Sequence, residues 1–167
     1  MPIVDNDDAL TKLLSETMMS VVESVADRLL EELVGPDGFI EDIVYGAGAP
    51  SFYSRQGMNG GLSGMWDTKK GTGIQAIVYE DSDTLSLDQD NFIHGSNYPK
   101  SKPPNDIRGA LIDMIIGGGS GPLFGEGWWR GRRDFLTPFL ELLENGTIER
   151  MIEAEFKLRG INYIRVT

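Results

Sequence analysis

Apolar side chains at Leu10, Leu13, Leu14, Met18, Val21, Val22, Val25, Leu29, Leu30 and Leu33 recur in steps of three and four. That spacing predicts one long amphipathic helix over residues 7–34. Lys12, Glu16, Glu23, Asp27 and Glu31 occupy the opposite face. Asp5, Asp7 and Asp8 stand at the positive end of the helix dipole, where anions are favoured. Gly35-Pro36 ends the helix. Its stripe requires a sheet or a neighbouring subunit to pack against.

Further along, Phe39–Tyr45 is apolar and β-branched and reads as a strand. Residues 46–73 are rich in Gly, Ser and Asn and read as a long loop. Ile74–Glu80, sequence IQAIVYE, is the clearest strand, and Leu85, Leu87 and Phe92-Ile93 suggest one more. Residues 94–104 form a proline-containing loop. Asn105 or Asp106 caps a helix whose apolar positions are Ile107, Ala110, Leu111, Met114 and Ile115, with Gly117–Gly119 as its stop. Thr137-Pro138 reads as the start of a short helix through Glu144, which Asn145-Gly146 breaks. Thr147 caps a last helix to Arg159, Gly160 closes it, and residues 161–166 read as strand-like. The pattern implies an α+β fold in a single domain over 1–167: a long N-terminal helix on a small, mostly antiparallel sheet, with two or three further helices and Gly-rich arms at 46–73 and 117–133.

Composition narrows this picture. With 167 residues and 40% hydrophobic content the chain can bury a core without staples. It has no cysteine, so neither a disulfide framework nor a thiolate metal site is expected. Residues 1–8 are acidic and lead into no apolar run, so no secretory signal is expected, and no apolar stretch is long enough for a membrane span. The net charge of −11 is concentrated at one end. Residues 1–50 hold eleven acids and two bases, whereas residues 101–167 hold nine of each. The first third therefore repels nucleic acid and anionic membranes, and the asymmetry can orient contacts between subunits.

Candidate chemistry is sparse. Asp81, Asp83, Asp88 and Asp90 lack the central Gly and terminal Glu of a calcium loop. His94, the one histidine, has Ser96 and Ser101 nearby in sequence but no nucleophile-elbow motif, and a structural role at a strand end is favoured. The glycines of 117–125 lack the Gly-Lys-Ser/Thr ending of a phosphate loop, and Gly125, Gly127 and Gly131 miss the dinucleotide spacing by one residue. No cofactor and no enzymatic activity are expected. Asn145-Gly146-Thr147 matches a glycosylation sequon and reads better as a turn. What stands out is the segment 117–133, GGGSGPLFGEGWWRGRR, where Trp128, Trp129, Arg130, Arg132 and Arg133 have the composition of an interface hot spot. Its arginines suit carboxylates, which the acidic first third of this or an adjacent copy supplies.

After the first helix come Pro50, Tyr53, Arg55, Gly57, Leu62 and Trp66, and Arg133-Asp-Phe135-Leu-Thr-Pro138 precedes the later helices. This layout resembles the tail-component and neck (tail-completion) families of long-tailed bacteriophages, which carry a Pro, then Tyr-x-Arg-Thr-Gly, then a Leu and an aromatic residue. Gln56 replaces the usual Thr, and Met58–Gly61 is extra length. The resemblance implies a non-enzymatic virion protein at the head–tail junction, made in the host cytoplasm. It would form a homo-oligomeric ring against other neck, portal-adaptor or tail proteins, with DNA passing through the lumen. It also places Tyr53 and Arg55 in a loop that shapes the ring, and the subunit-interface candidates are Tyr53, Arg55, Trp66, Trp128, Trp129, Arg130, Arg132 and Arg133. The alternative reading is an acidic inhibitor whose carboxylates, among them Glu16, Glu23, Asp27 and Glu31, imitate nucleic acid.

Overall fold

The computed structural model describes residues 6–46, 60–85, 111–118 and 132–164. The long helix α1 spans Asp7–Val34, and its start is fixed by Asn6, whose side-chain oxygen accepts the Ala9 N–H at 2.7 Å. Its end is fixed by the turn Gly35–Gly38, closed by a 2.9 Å bond from the Gly38 N–H to the Gly35 carbonyl. Pro36 supplies the second position of that turn. Gly38 is required by close approach, since a Cβ there would stand 2.8 Å from the Gly35 nitrogen and 2.9 Å from the Glu32 carbonyl oxygen.

The chain then re-enters helix. Residues Ile40–Tyr45 form a wide π-helical turn, with the Gly46 N–H reaching the Glu41 carbonyl at 2.7 Å. This corrects the strand expected over Phe39–Tyr45. Its apolar residues Phe39, Ile40, Ile43 and Val44 also fit helical spacing, and the turn buries Ile40 and Val44 beneath α1.

A two-stranded antiparallel sheet follows: β1 is Trp66–Lys70 and β2 is Ala76–Glu80, in the register Trp66↔Glu80, Thr68↔Val78, Lys70↔Ala76. β2 falls where the sequence places a strand. β1, with the 3₁₀ turn Leu62–Met65 before it, occupies part of the segment read as loop. Trp66 and Val78 share the inner face and pack on the core, while Lys69 lies over the Tyr79 ring at 4.2 Å on the outer face. A short 3₁₀ turn, Ser82–Thr84, follows with Leu85 buried after it.

Three helices complete the described fold: α2 (Leu111–Gly117), α3 (Leu136–Leu142) and α4 (Ile148–Leu158). The fold class is α+β, as expected. Two helix caps differ from the sequence reading. The start of α3 is capped by Asp134, which accepts from the Thr137 N–H at 3.0 Å and the Thr137 hydroxyl at 2.9 Å. The charged oxygen wins over the hydroxyl, so Thr137 becomes a donor rather than the cap. Between α3 and α4, Asn145 and Gly146 leave helical geometry, with Gly146 at φ +79°. There Thr147 makes no cap bond; it donates to the Asn145 side chain and receives Arg150 at 2.7 Å. Gly160, at φ +66°, closes α4 as expected. Residues 161–164 are not a strand: the Ile161 N–H bonds back to the Phe156 carbonyl at 2.9 Å, and Tyr163 folds onto the Phe156 ring. Of the strand expected at Leu85, Leu87 and Phe92-Ile93, Leu85 follows the 3₁₀ turn outside any strand; the rest of it, with residues 86–110 and 165–167, His94 and the Asn105/Asp106 cap, lies outside the described residues.

The core joins Val25, Leu29 and Leu33 of α1 to Ile40, Val44, Leu62, Met65, Leu85, Ile115, Phe135 and Phe139. Full burial of one such side chain is worth about 1.5–3 kcal/mol. Beside this core, α4 is clamped antiparallel to α1 by a charge cluster. The Glu155 carboxylate, only 5% exposed, receives Arg28 at 2.6 Å and Arg159 on its other oxygen. Arg159 also donates to the Ser24 hydroxyl at 2.9 Å and the Ser20 carbonyl at 3.3 Å. A buried charge without its partners is strongly destabilising, whereas an apolar replacement of the whole cluster is close to neutral. Truncating the two arginines together to alanine, which strands the buried carboxylate, is therefore expected to cost about 3–5 kcal/mol. The combined change Arg28→Met, Glu155→Leu and Arg159→Met is expected to cost far less. Chemical denaturation of both variants checks this order.

Candidate functional site

Five of the eight interface candidates, Tyr53, Arg55, Trp128, Trp129 and Arg130, lie outside the described residues. The other three, Trp66, Arg132 and Arg133, converge on one junction. The last carbonyls of a helix have no partner within it, and the two arginines supply donors to α2. The Arg133 backbone N–H bonds to the Ile115 carbonyl at 3.1 Å, and the Arg132 Nε bonds to the Ile116 carbonyl at 3.3 Å. The Arg133 guanidinium continues to the Val44 carbonyl at 3.1 Å, tying the π-helical turn to the same point. Arg132, 70% exposed, also pairs with Asp134 at 3.5 Å. Arg132 thus meets the end of α2 and Asp134, and Arg133 ties the end of α2 to the π-helical turn.

The segment that follows locks the junction. Phe135 is fully buried and meets Trp66 edge-on, with ring centroids 6.4 Å apart. Trp66 is half-buried at the first position of β1, and its indole N–H is buried without an acceptor among the described residues. Asp134, through the Thr137 N–H first and the Thr137 hydroxyl second, has its pKa lowered from 3.8.

On the other side of the π-helical turn lies a feature that sequence reasoning missed. An open groove of about 410 Å³ has Leu30, Val34 and Pro36 as apolar walls and Asp27, Glu31 and Glu41 as an acidic rim. Asp27 and Glu31 appear in the sequence only as members of the polar face of α1. Glu41 joins them because the Gly35–Gly38 turn folds the next helical turn back against α1, a reversal that spacing alone does not encode. Ser63, 2% exposed, closes the floor. Beside it, Tyr45 accepts the Leu62 N–H at 2.9 Å, so the π-helical turn and the 3₁₀ turn are joined under the groove. Burial pushes the Tyr45 hydroxyl above its ordinary 10.0; the hydrogen bond from Leu62 opposes this without reversing it.

A concave apolar surface lined by carboxylates suits a cationic side chain with an apolar stem. Among the described residues no three His, Cys, Asp or Glu side chains are placed to hold a metal ion. Asp81 caps its own 3₁₀ turn by accepting from the Asp83 N–H, and Asp88 and Asp90 lie outside the described residues. No described helix is long and apolar enough to cross a membrane. No protein-family model matches the chain, no curated protein matches it in sequence, and no solved structure matches it in fold.

Tyr45→Phe removes the acceptor of a part-buried N–H and is expected to cost about 1–3 kcal/mol in thermal or chemical unfolding. The tyrosine also sets an alkaline limit. Because its folded pKa is raised, its contribution is complete below pH 10.0 and is lost as pH climbs toward the folded value. Stability of the native chain above pH 10 should therefore fall more steeply than that of Tyr45→Phe. Asp134 acts at the opposite end. Its folded pKa is lowered, so its contribution is present above pH 3.8 and fades as pH falls below it. Asp134→Ala is expected to lower the melting temperature at pH 7 and to narrow its gap from the native chain under strong acid.

Proposed function

We propose that this chain is a structural subunit that assembles with copies of itself, in the manner of the ring-forming neck or tail-completion proteins at the head–tail junction of long-tailed phages. The observation that carries the reading is the acid-rimmed apolar groove between α1 and the π-helical turn. It offers a cationic, apolar segment of a neighbouring subunit a fitting receptor, and the chain's own sequence contains such a segment at Trp128-Trp129-Arg130. The α+β fold with its long first helix is the one that the resemblance implies, and the Arg133–Pro138 segment of that resemblance forms the knot joining α2, α3 and the π-helical turn.

The alternative, a nucleic-acid mimic, draws on the carboxylates of α1. Two of those are engaged within the fold: Glu23 pairs with Lys70 at 2.7 Å, and Asp27 accepts from Thr68 at 3.0 Å. Those contacts leave the row less free to imitate a phosphate backbone, so the assembly reading is preferred.

Mass spectrometry of purified virions is the direct measurement, with the protein expected at a few copies per particle and rings expected in micrographs of the assembled form. Its absence from virions overturns the reading. Glu31→Lys combined with Glu41→Lys is expected to impair assembly while leaving thermal unfolding of the free subunit nearly unchanged.

A further inference from the structure

Among the described residues, the stripe of α1 is longer than its cover. α4 runs antiparallel to α1 and stops beside Ser20 and Ser24, where Arg159 is anchored. α1 continues past that point over Asp7–Met19, roughly 20 Å of helix at 1.5 Å per residue. The row on which α4 sits, Arg28, Ser24, Val21 and Ser20, extends in steps of three and four as Thr17, Leu14, Leu13 and Leu10. Leu14 is 55% exposed, Leu10 45% and Leu13 40%, and Leu158 at the end of α4 is 72% exposed.

We propose that a second copy of this chain docks on this overhang, the two α1 helices lying antiparallel about a two-fold axis between Leu13 and Leu14. The packing of α1 with α4 argues for that occupant. An incoming α1 would lie in line with α4, run in the same direction as α4, and take up the seam where α4 leaves it. The pattern is self-complementary about that axis: Leu13 comes opposite Leu14, Leu10 opposite Thr17, and Asp7 opposite Ser20. Thr17 suits a closed seam because its hydroxyl is spent on the Leu13 carbonyl at 2.8 Å, leaving its methyl to pack. The ends match in charge. The incoming tip brings Asp7 and Asp8 to the site where Arg159 holds Ser20, and its positive helix end meets the negative end of α4. Lys12 and Glu16 pair with each other at 3.9 Å on the far face and stay in water. A two-fold axis repeats each contact, so the leucines of both copies are covered at once. The inference rests on this packing and does not depend on the neck reading.

The chain has no cysteine, so introduced thiols report single positions. In the full-length chain under mild oxidation, Leu14→Cys is expected to form a disulfide-linked dimer. Asp7→Cys is expected to stay unlinked on its own, its two copies being about 20 Å apart, and to cross-link when mixed with Ser20→Cys. Sedimentation equilibrium should show a dimer in the native chain, and Leu10→Glu with Leu14→Glu should weaken it about a hundredfold with unchanged far-UV circular dichroism. A native chain that stays monomeric up to about 1 mM, or self-linking of Asp7→Cys as fast as that of Leu14→Cys, overturns the proposal. Failure to find the protein in virions would leave these measurements untouched.

Discussion

One buried carboxylate sets the orientation of the two principal helices. Glu155 is nearly sealed from water, and each of its oxygens needs a cation. One comes from Arg28 on α1, the other from Arg159 four residues further along α4. Arg159 then spends its remaining donors on Ser20 and Ser24 of α1. The order of these contacts, 155 to 28 and 159 to 20 and 24, is possible only if the helices run antiparallel with one offset. A slide of one turn would leave a charge buried without a partner, at a cost of several kcal/mol. An apolar seam tolerates such slides far better. The cluster thus contributes register more than net stability, and it fixes how much of α1 extends beyond α4.

How much of this was legible in the sequence depends on the kind of signal. The limits of α1 follow from its stripe and from Gly35-Pro36, because helix periodicity and a pre-proline break are local properties. β2 is legible for the same reason, with β-branched residues around a half-buried face. β1 is not: Trp66-Asp-Thr-Lys-Lys70 has one apolar residue, and it becomes a strand because β2 pairs with it and α1 lies beneath it. Phe39–Tyr45 failed in the opposite way. Its β-branched content favours a strand, but Phe39 and Ile43 pack on the core together with Ile40 and Val44, and a strand would send the two pairs to opposite faces, whereas a helical turn puts them on one.

The candidate site was legible by composition and not by role. Arg132 and Arg133 stand out in the sequence as cations in search of carboxylates. In the fold both serve helix-end carbonyls: the Arg132 side chain and the Arg133 backbone N–H donate to the end of α2, and the Arg133 guanidinium donates to Val44 in the π-helical turn, a hydrogen-bonding need that charge counting does not register. Trp66 is likewise drawn inward by Phe135. The groove escaped notice because its rim combines carboxylates from two elements, and no single stretch of sequence shows them as neighbours.

These constraints give the molecule two unlike halves. One is closed, where Phe135, Arg133 and the Glu155 cluster leave few choices of packing. The other presents surfaces made by the same chain and left open among the described residues: the acid-rimmed groove and the leucine row of α1. Both openings follow from the closed half. The groove exists because the Gly35–Gly38 turn folds Glu41 back toward Glu31, and the leucine row is exposed because Gly160 ends α4 while the clamp holds that end beside Ser20. Leucines left in water over about one and a half helical turns weaken solubility without aiding the monomer, and the acidic tip moderates that cost by repelling indiscriminate contacts. A row that is apolar in its centre and charged at its end has the composition of a selective contact, and the internal clamp sets where on α1 that row begins.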